Sequence, residues 1–207
     1  MAEQKASMQA LASQICNQIS SVFSTTASDR PPALDVMVDE IAATASRNGK
    51  VFVHGVGREF LMLKALCMRL AHLGLSAHCV GDVTTPPISS LDLLVASAGP
   101  GGFSTVDAIC GVARSNGARV LLVTAQPDSG SCATHATAIA HIPAKTMAND
   151  HDDEGDGGAE MRSRPLLPMG SVYEGAMLVL FEMVVFRLGE VLGESPEAIR
   201  SRHTNLE

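Results

Sequence analysis

The sequence predicts an α/β protein: a doubly wound parallel sheet of five strands flanked by helices and preceded by a helical arm. Three observations carry this. Runs such as Leu93-Leu-Val-Ala96 and Val120-Leu-Leu-Val123 are apolar at consecutive positions, as strands covered on both faces are. From Lys50 onward such runs alternate with helical patterns, and right-handed crossovers join units of that kind into a doubly wound sheet. Two of the strands run into glycine-rich turns, Lys50-Val-Phe-Val-His-Gly-Val-Gly-Arg58 and Leu93-Leu-Val-Ala-Ser-Ala-Gly-Pro-Gly-Gly-Phe-Ser-Thr105. Glycine lets the backbone turn tightly there and brings N–H groups and a helix N-terminus towards an anion.

Residues 1–32 read as the arm and its linker, and 33–207 as the main domain. In 8–23, Leu11, Ile15, Ile19, Val22 and Phe23 recur at helical spacing. A linker over 25–32 ends in Pro31 and Pro32, which open a second helix that stops at Asn48-Gly49. Its stripe of Leu34, Met37, Val38 and Ile41, with the first helix, suits packing between subunits. Strands are expected at 51–54, 77–80, 93–97, 119–124 and 138–142, with helices at 59–73 and 104–116 and a short one near 131–135. Residues 147–164 hold Asp150, Asp152, Asp153, Glu154 and Asp156 among glycines without apolar periodicity. They read as a mobile, solvated acidic loop, and the acid spacing is not that of a calcium loop. Residues 166–192 form a long helix, apolar nearly all round and therefore expected to be deeply buried, and the tail 194–207 carries one short helix.

Composition narrows the function. The 207 residues are 46% hydrophobic with a formal net charge of −7, a balance that disfavours non-specific nucleic-acid binding. One Tyr, no Trp and six Phe leave little material for stacking bases. The most apolar segment, 176–188, is interrupted by Glu182 and Arg187 and is too short to span a bilayer. Five scattered cysteines with no CxxC pair and no secretory-signal layout predict reduced thiols in the cytoplasm. A small molecule is the expected partner, with no nucleic acid and no membrane.

Candidate chemistry lies on the turns and on one helix. Gly55, Gly57 and Arg58 form a strand-to-helix turn that lacks the third glycine of a dinucleotide fingerprint. Arg58 there either closes on a phosphate or carboxylate, or is a surface arginine on a plain tight turn. Glu174 stands near the start of the apolar helix, where an acid is costly unless paired, protonated or functional, and can act as a general base. Glu182 shares the oddity two turns on. His72, His135 and His141 suit packing roles, whereas His54 ends the first strand and either faces the ligand or packs. No HExxH and no Cys/His zinc spacing is present, so a structural metal is not expected. His203, in a polar tail, reads from its surroundings as exposed and inert.

A set of motifs completes the picture: Val53-His-Gly-Val-Gly-Arg58, Lys64-Ala-Leu-Cys-Met-Arg-Leu-Ala-His-Leu-Gly74, Thr84-Thr-Pro86, Asp92-Leu-Leu-Val-Ala-Ser97, Pro168-Met-Gly-Ser171 with Glu174, and Ser201-Arg-His-Thr-Asn-Leu-Glu207. In this order they resemble the sugar isomerase (SIS) domain family, closest to its 6-phospho-3-hexuloisomerases. The resemblance implies a five-stranded sheet in flavodoxin-like order. It also implies a homodimer or homotetramer with sites between subunits, binding a phosphosugar without metal or cofactor. The implied reaction moves a carbonyl between adjacent carbons through a cis-enediolate. Glu174 matches the proton-shuttling carboxylate, and His203, from a neighbouring subunit, the acid/base helper.

Departures from the family fall on the turns. Three phosphate-facing hydroxyls of the family are Glu59, Gly99 and Gly102 in this chain, while Ser97, Ser104 and Thr105 are retained. Each missing contact to a charged group weakens binding by about 1.5–3 kcal/mol, and an inward Glu59 would repel a phosphate, favouring a neutral or amine-bearing ligand. Two readings follow. One is an aldose–ketose isomerase acting on a phosphosugar or related polyol, with Arg58 and Ser97 as clamps. The other is a non-catalytic, sugar-phosphate-binding or regulatory protein on the same fold.

Overall fold

The computed structural model describes residues 7–24, 29–149 and 166–206. Ser7 starts the first helix, its hydroxyl accepting the Ala10 N–H at 3.2 Å, and α1 (Met8–Ser21) continues into a 3-10 turn, Val22–Ser24. Proline then sets the next start: α2 (Ala33–Ser46) follows Pro32 at its N-cap, where a missing N–H costs nothing. Asn48, at φ +56°, ends it. At the adjoining Gly49 a Cβ would lie 1.9 Å from the Leu91 carbonyl oxygen, so only glycine fits.

Five strands follow: β1 (Val51–His54), β2 (Ala77–Cys79), β3 (Leu93–Ser97), β4 (Arg119–Thr124) and β5 (Ala138–His141). All pairings are parallel and the order is β2-β1-β3-β4-β5, the expected doubly wound arrangement. Between them run α3 (Gly57–His72), α4 (Ser104–Ser115) and a 3-10 turn, Ser131–His135. Alternate side chains go to opposite faces. Val51, Val53, Leu93, Val95, Leu121 and Val123 pack under α2, α3 and the long helix α5 (Ser171–Val191). Phe52, Leu94, Ala96, Val120 and Leu122 pack against α4. At the amino ends of the strands the buried Asp92 accepts the Lys50 N–H at 2.7 Å and the Ser89 N–H and hydroxyl at 2.7 and 2.8 Å. This carboxylate ties the starts of β1 and β3 together.

Two expectations about the last helix are corrected. It begins at Ser171 rather than near 166, because Met169 and Gly170 adopt φ +56° and +78°, which interrupts a right-handed helix. Nor is it buried all round. Val172, Tyr173, Ala176, Met177, Leu180 and Val184 face the core, but Leu178, Val179, Phe186 and Val191 are 45%, 40%, 68% and 59% exposed. Glu182 is equally outward, in an ion pair with Arg69 at 3.2 Å. The tail forms α6 (Pro196–Ser201), capped by the Ser195 hydroxyl and held by Arg202, which donates to Glu194 and to the His72 carbonyl. Of the expected acidic loop only Met147–Asn149 is described, as a 3-10 turn; residues 150–164 lie outside the described residues, as do 1–6 of the arm and 25–28 of its linker.

Candidate active site

The carboxyl ends of β1 and β3 and the start of α5 enclose a cleft of about 430 Å³, whose walls include Arg58, Glu59, Phe103, Met147, Tyr173 and Glu174. The first turn shapes one side. Gly57 takes φ +56°, where a side chain is strained, and nothing lies within 4 Å of where its Cβ would be. That turn launches α3 with Arg58 and Glu59 in its opening residues, pointing two different ways.

Arg58 reaches across to α5. It donates to the Ser171 hydroxyl at 2.9 Å and to the Met169 carbonyl, and its Nη2 lies 3.1 Å from Glu174 Oε2. That last contact is an ion pair without hydrogen-bond alignment, since Glu174 Oε2 is buried and accepts no hydrogen bond. Burial pushes the Glu174 carboxyl above its ordinary value; Arg58 draws it back and the charge of Glu59 pushes it further up. A carboxylate so placed is a stronger base than one in water, with unused lone pairs at the cleft wall.

Glu59 turns inward instead. Only 6% exposed, it accepts the Ser97 hydroxyl at 2.5 Å and the Gly99 N–H at 3.0 and 3.2 Å. Burial raises its pKa, and those two donors pull in the opposite direction. The Tyr173 hydroxyl lies 3.3 Å from Ser97 Oγ. Burial, reinforced by the charge of Glu59, holds this phenol well above its ordinary pKa, so it stays protonated and completes a chain of hydroxyls leading to the carboxylate.

The other expected residues divide by position. Gly55 packs beneath α3, where a Cβ would meet Leu63 at 3.1 Å. Ser97 and Gly99 are buried under the cleft and engaged with Glu59. Gly102 faces the next loop, since a Cβ would fall 2.0 Å from Ser131 Oγ. Ser104 and Thr105 are exposed at the start of α4. His54 packs on the Phe60 ring with both ring nitrogens buried and unbonded, and burial lowers its pKa, so it is neutral. His203 lies against His72, ring centroids 5.2 Å apart, at the far end of α3. That helix is about 24 Å long at its 16 residues, so within one chain His203 and Glu174 do not share the cleft. Sequence reasoning missed Tyr173; being the one tyrosine, immediately before Glu174, was the available signal. Among the described residues no group of three or more His, Cys, Asp or Glu could hold a metal ion, and no helix is long and apolar enough to cross a membrane.

The sheet order, with a cleft at the carboxyl ends of its strands walled by a carboxylate and an arginine, is the arrangement expected of a sugar isomerase domain. No family model matches the chain. It is 34% identical over 206 residues to the 3-hexulose-6-phosphate isomerase of Mycobacterium gastri, covering 100% of this chain and 98% of that one. To the enzyme of that name from Bacillus subtilis it is 31% identical over 169 residues, 82% of this chain and 86% of that one. A solved Methanococcus jannaschii structure, from which 3-hexulose-6-phosphate isomerase function was inferred, shares the fold with a TM-score of 0.73 at 24% identity, over 95% of this chain and 98% of that one. The chain belongs to the 3-hexulose-6-phosphate isomerase family.

Proposed function

We propose that the protein is a sugar-phosphate isomerase of the 3-hexulose-6-phosphate isomerase type, working in the cytoplasm as a homo-oligomer. The observation that carries the reading is Glu174: a half-buried carboxylate on the cleft wall, its basicity raised by burial and by Glu59, oriented beside Arg58. In the proposed reaction Glu174 removes the proton from the carbon next to the ketose carbonyl. The electron pair moves into a carbon–carbon double bond, giving a cis-enediolate whose oxygen charge Arg58 stabilises. Glu174 then returns the proton to the former carbonyl carbon, while a hydroxyl proton passes to the other oxygen. His203 of a neighbouring subunit is the proposed helper for that second transfer. Exposed apolar residues on α5, Phe186 foremost, supply surface for such an assembly, and α1 packs beside it, with Ile19 against Gly175.

The test is exchange of substrate protons in D2O, followed by NMR with a panel of hexose and pentose phosphates. Wild-type protein should place deuterium on the carbon beside the carbonyl, and Glu174→Gln should slow this by about 10²–10⁴-fold, the usual contribution of an acid/base group. The engagement of Ser97 and Gly99 by Glu59 favours the second reading, a non-catalytic binding or regulatory protein on this fold. A phosphosugar that stabilises the wild type against heat but never exchanges would establish it.

A further inference from the structure

We propose that Glu59 is the specificity-determining residue of the cleft. It is a resident anion that takes the hydrogen bonds an outside phosphate would need at the second turn, so that a bound sugar meets the Glu59 carboxylate with a hydroxyl and its phosphate is held away from the Gly99 amide. The inference rests on reading this cleft as the sugar site.

Both donors that the second turn offers at this point are committed: the Ser97 hydroxyl and the Gly99 N–H end on the same carboxylate. The space above the turn is filled as well. A Cβ on Gly99 would stand 2.8 Å from the Tyr173 ring and 3.1 Å from Glu59 Oε1, so tyrosine and glutamate together seal it. Further along, Ser131 Oγ occupies the place of a side chain at Gly102 and is itself bound to Asp107 at 2.7 Å. The charge count points the same way. Arg58 is the single cation among the cleft's described lining residues, and it already faces Glu174. A phosphate brought up to the Gly99 turn would meet the Glu59 carboxylate at close range, while the one cation among the described lining residues, Arg58, is engaged with Glu174. A hydroxyl there instead donates to Glu59 and gains a charge-assisted hydrogen bond. The cleft therefore reads a sugar hydroxyl at Glu59, and a phosphosugar keeps its phosphate away from this turn.

The experiment follows the Gly99 amide by ¹⁵N NMR while inorganic phosphate is added, and measures by calorimetry the affinities for fructose and fructose 6-phosphate. In the wild type the Gly99 signal should stay in place. Glu59→Ser frees the Ser97 and Gly99 donors: the Gly99 signal should then move saturably with phosphate, and the preference for the phosphorylated sugar should rise at least about tenfold. Glu59→Gln keeps the side-chain shape without the charge, and should give a smaller gain in the same direction. A saturable Gly99 response in the wild type would overturn the proposal, as would its absence from both folded variants. If Glu59→Ser does not fold, the wild type and Glu59→Gln decide. The phosphate titration involves no turnover. Its failure leaves the proton-exchange result standing, and a wild type that fails to exchange leaves the titration readable.

Discussion

The two glycine-rich turns look alike in sequence, yet Gly57 in one and Gly99 in the other are needed for opposite reasons. In the first, Gly57 is needed for its dihedral angle: φ is +56° and the space around it is empty. In the second, Gly99 is needed because other atoms occupy the space. It lies under Tyr173 and Glu59, Gly102 lies against Ser131, and Gly101, at φ +101°, combines a positive dihedral angle with close contact to Gln126 and Gly130. The first turn is open and presents side chains to the cleft; the second is closed and serves as its floor. A glycine-rich turn after a strand thus indicates where a site is, without saying whether the turn itself is free to bind.

Substitutions can break or sharpen this contrast. Around the two turns, the largest effect on stability is expected from Gly130→Ala, whose Cβ would fall 2.2 Å from the Gly101 carbonyl oxygen. Backbone cannot swing aside as a side chain can, so a loss of about 3 kcal/mol in chemical denaturation is expected. A near-neutral result would show that the floor is loose. Gly57→Ala has room and meets only the left-handed dihedral penalty, about 1–2 kcal/mol, and should leave the buried Glu59 contacts intact. If it destabilised as strongly as Gly130→Ala, the two turns would not differ as described.

The smallest effect is electrostatic. Two buried carboxylates stand at opposite ends of β3, and their pKa values move in opposite directions. Burial works against ionised Asp92, but the Lys50 and Ser89 donors outweigh it and its pKa is lowered. Its contribution to stability is present above the ordinary aspartate value, near 3.9, and is lost as pH falls through the depressed folded value. Glu59 is raised, so the folded state binds its proton more tightly than the unfolded state does. Its contribution is fully present below the ordinary glutamate value, about 4.3, and declines as pH rises through the folded value. Glu59→Gln should therefore flatten the loss of stability with rising pH in that window, leaving the acid limb set by Asp92 unchanged. An unaltered profile from pH 4 to 7 would mean that Glu59 is ionised at no cost.

Much of the framework was legible because consecutive apolar residues and glycine turns are local signals. Val51–His54, Leu93–Ser97 and Arg119–Thr124 form strands at the expected residues, in the expected sheet order. The start of α5 was not legible, because nothing local announces that Met169 and Gly170 adopt positive φ. The direction of Glu59 was visible only as an alternative, since it depends on donors about 40 positions away that the sheet brings alongside. Glu174 stood out as an acid in an apolar run. His203 drew notice only through the family motif, and one chain leaves it at the wrong end of α3.

Tyr173 has a practical consequence. The protein has no tryptophan and this single tyrosine, and its ring is buried in the cleft floor against Gly99 and Ser97. Phenylalanine emits weakly beside tyrosine, so the fluorescence and near-ultraviolet dichroism of the folded protein arise almost wholly from one ring at the one place where a ligand would matter. The molecule carries its own optical probe, and occupancy of the cleft can be followed in the unlabelled, unmutated protein.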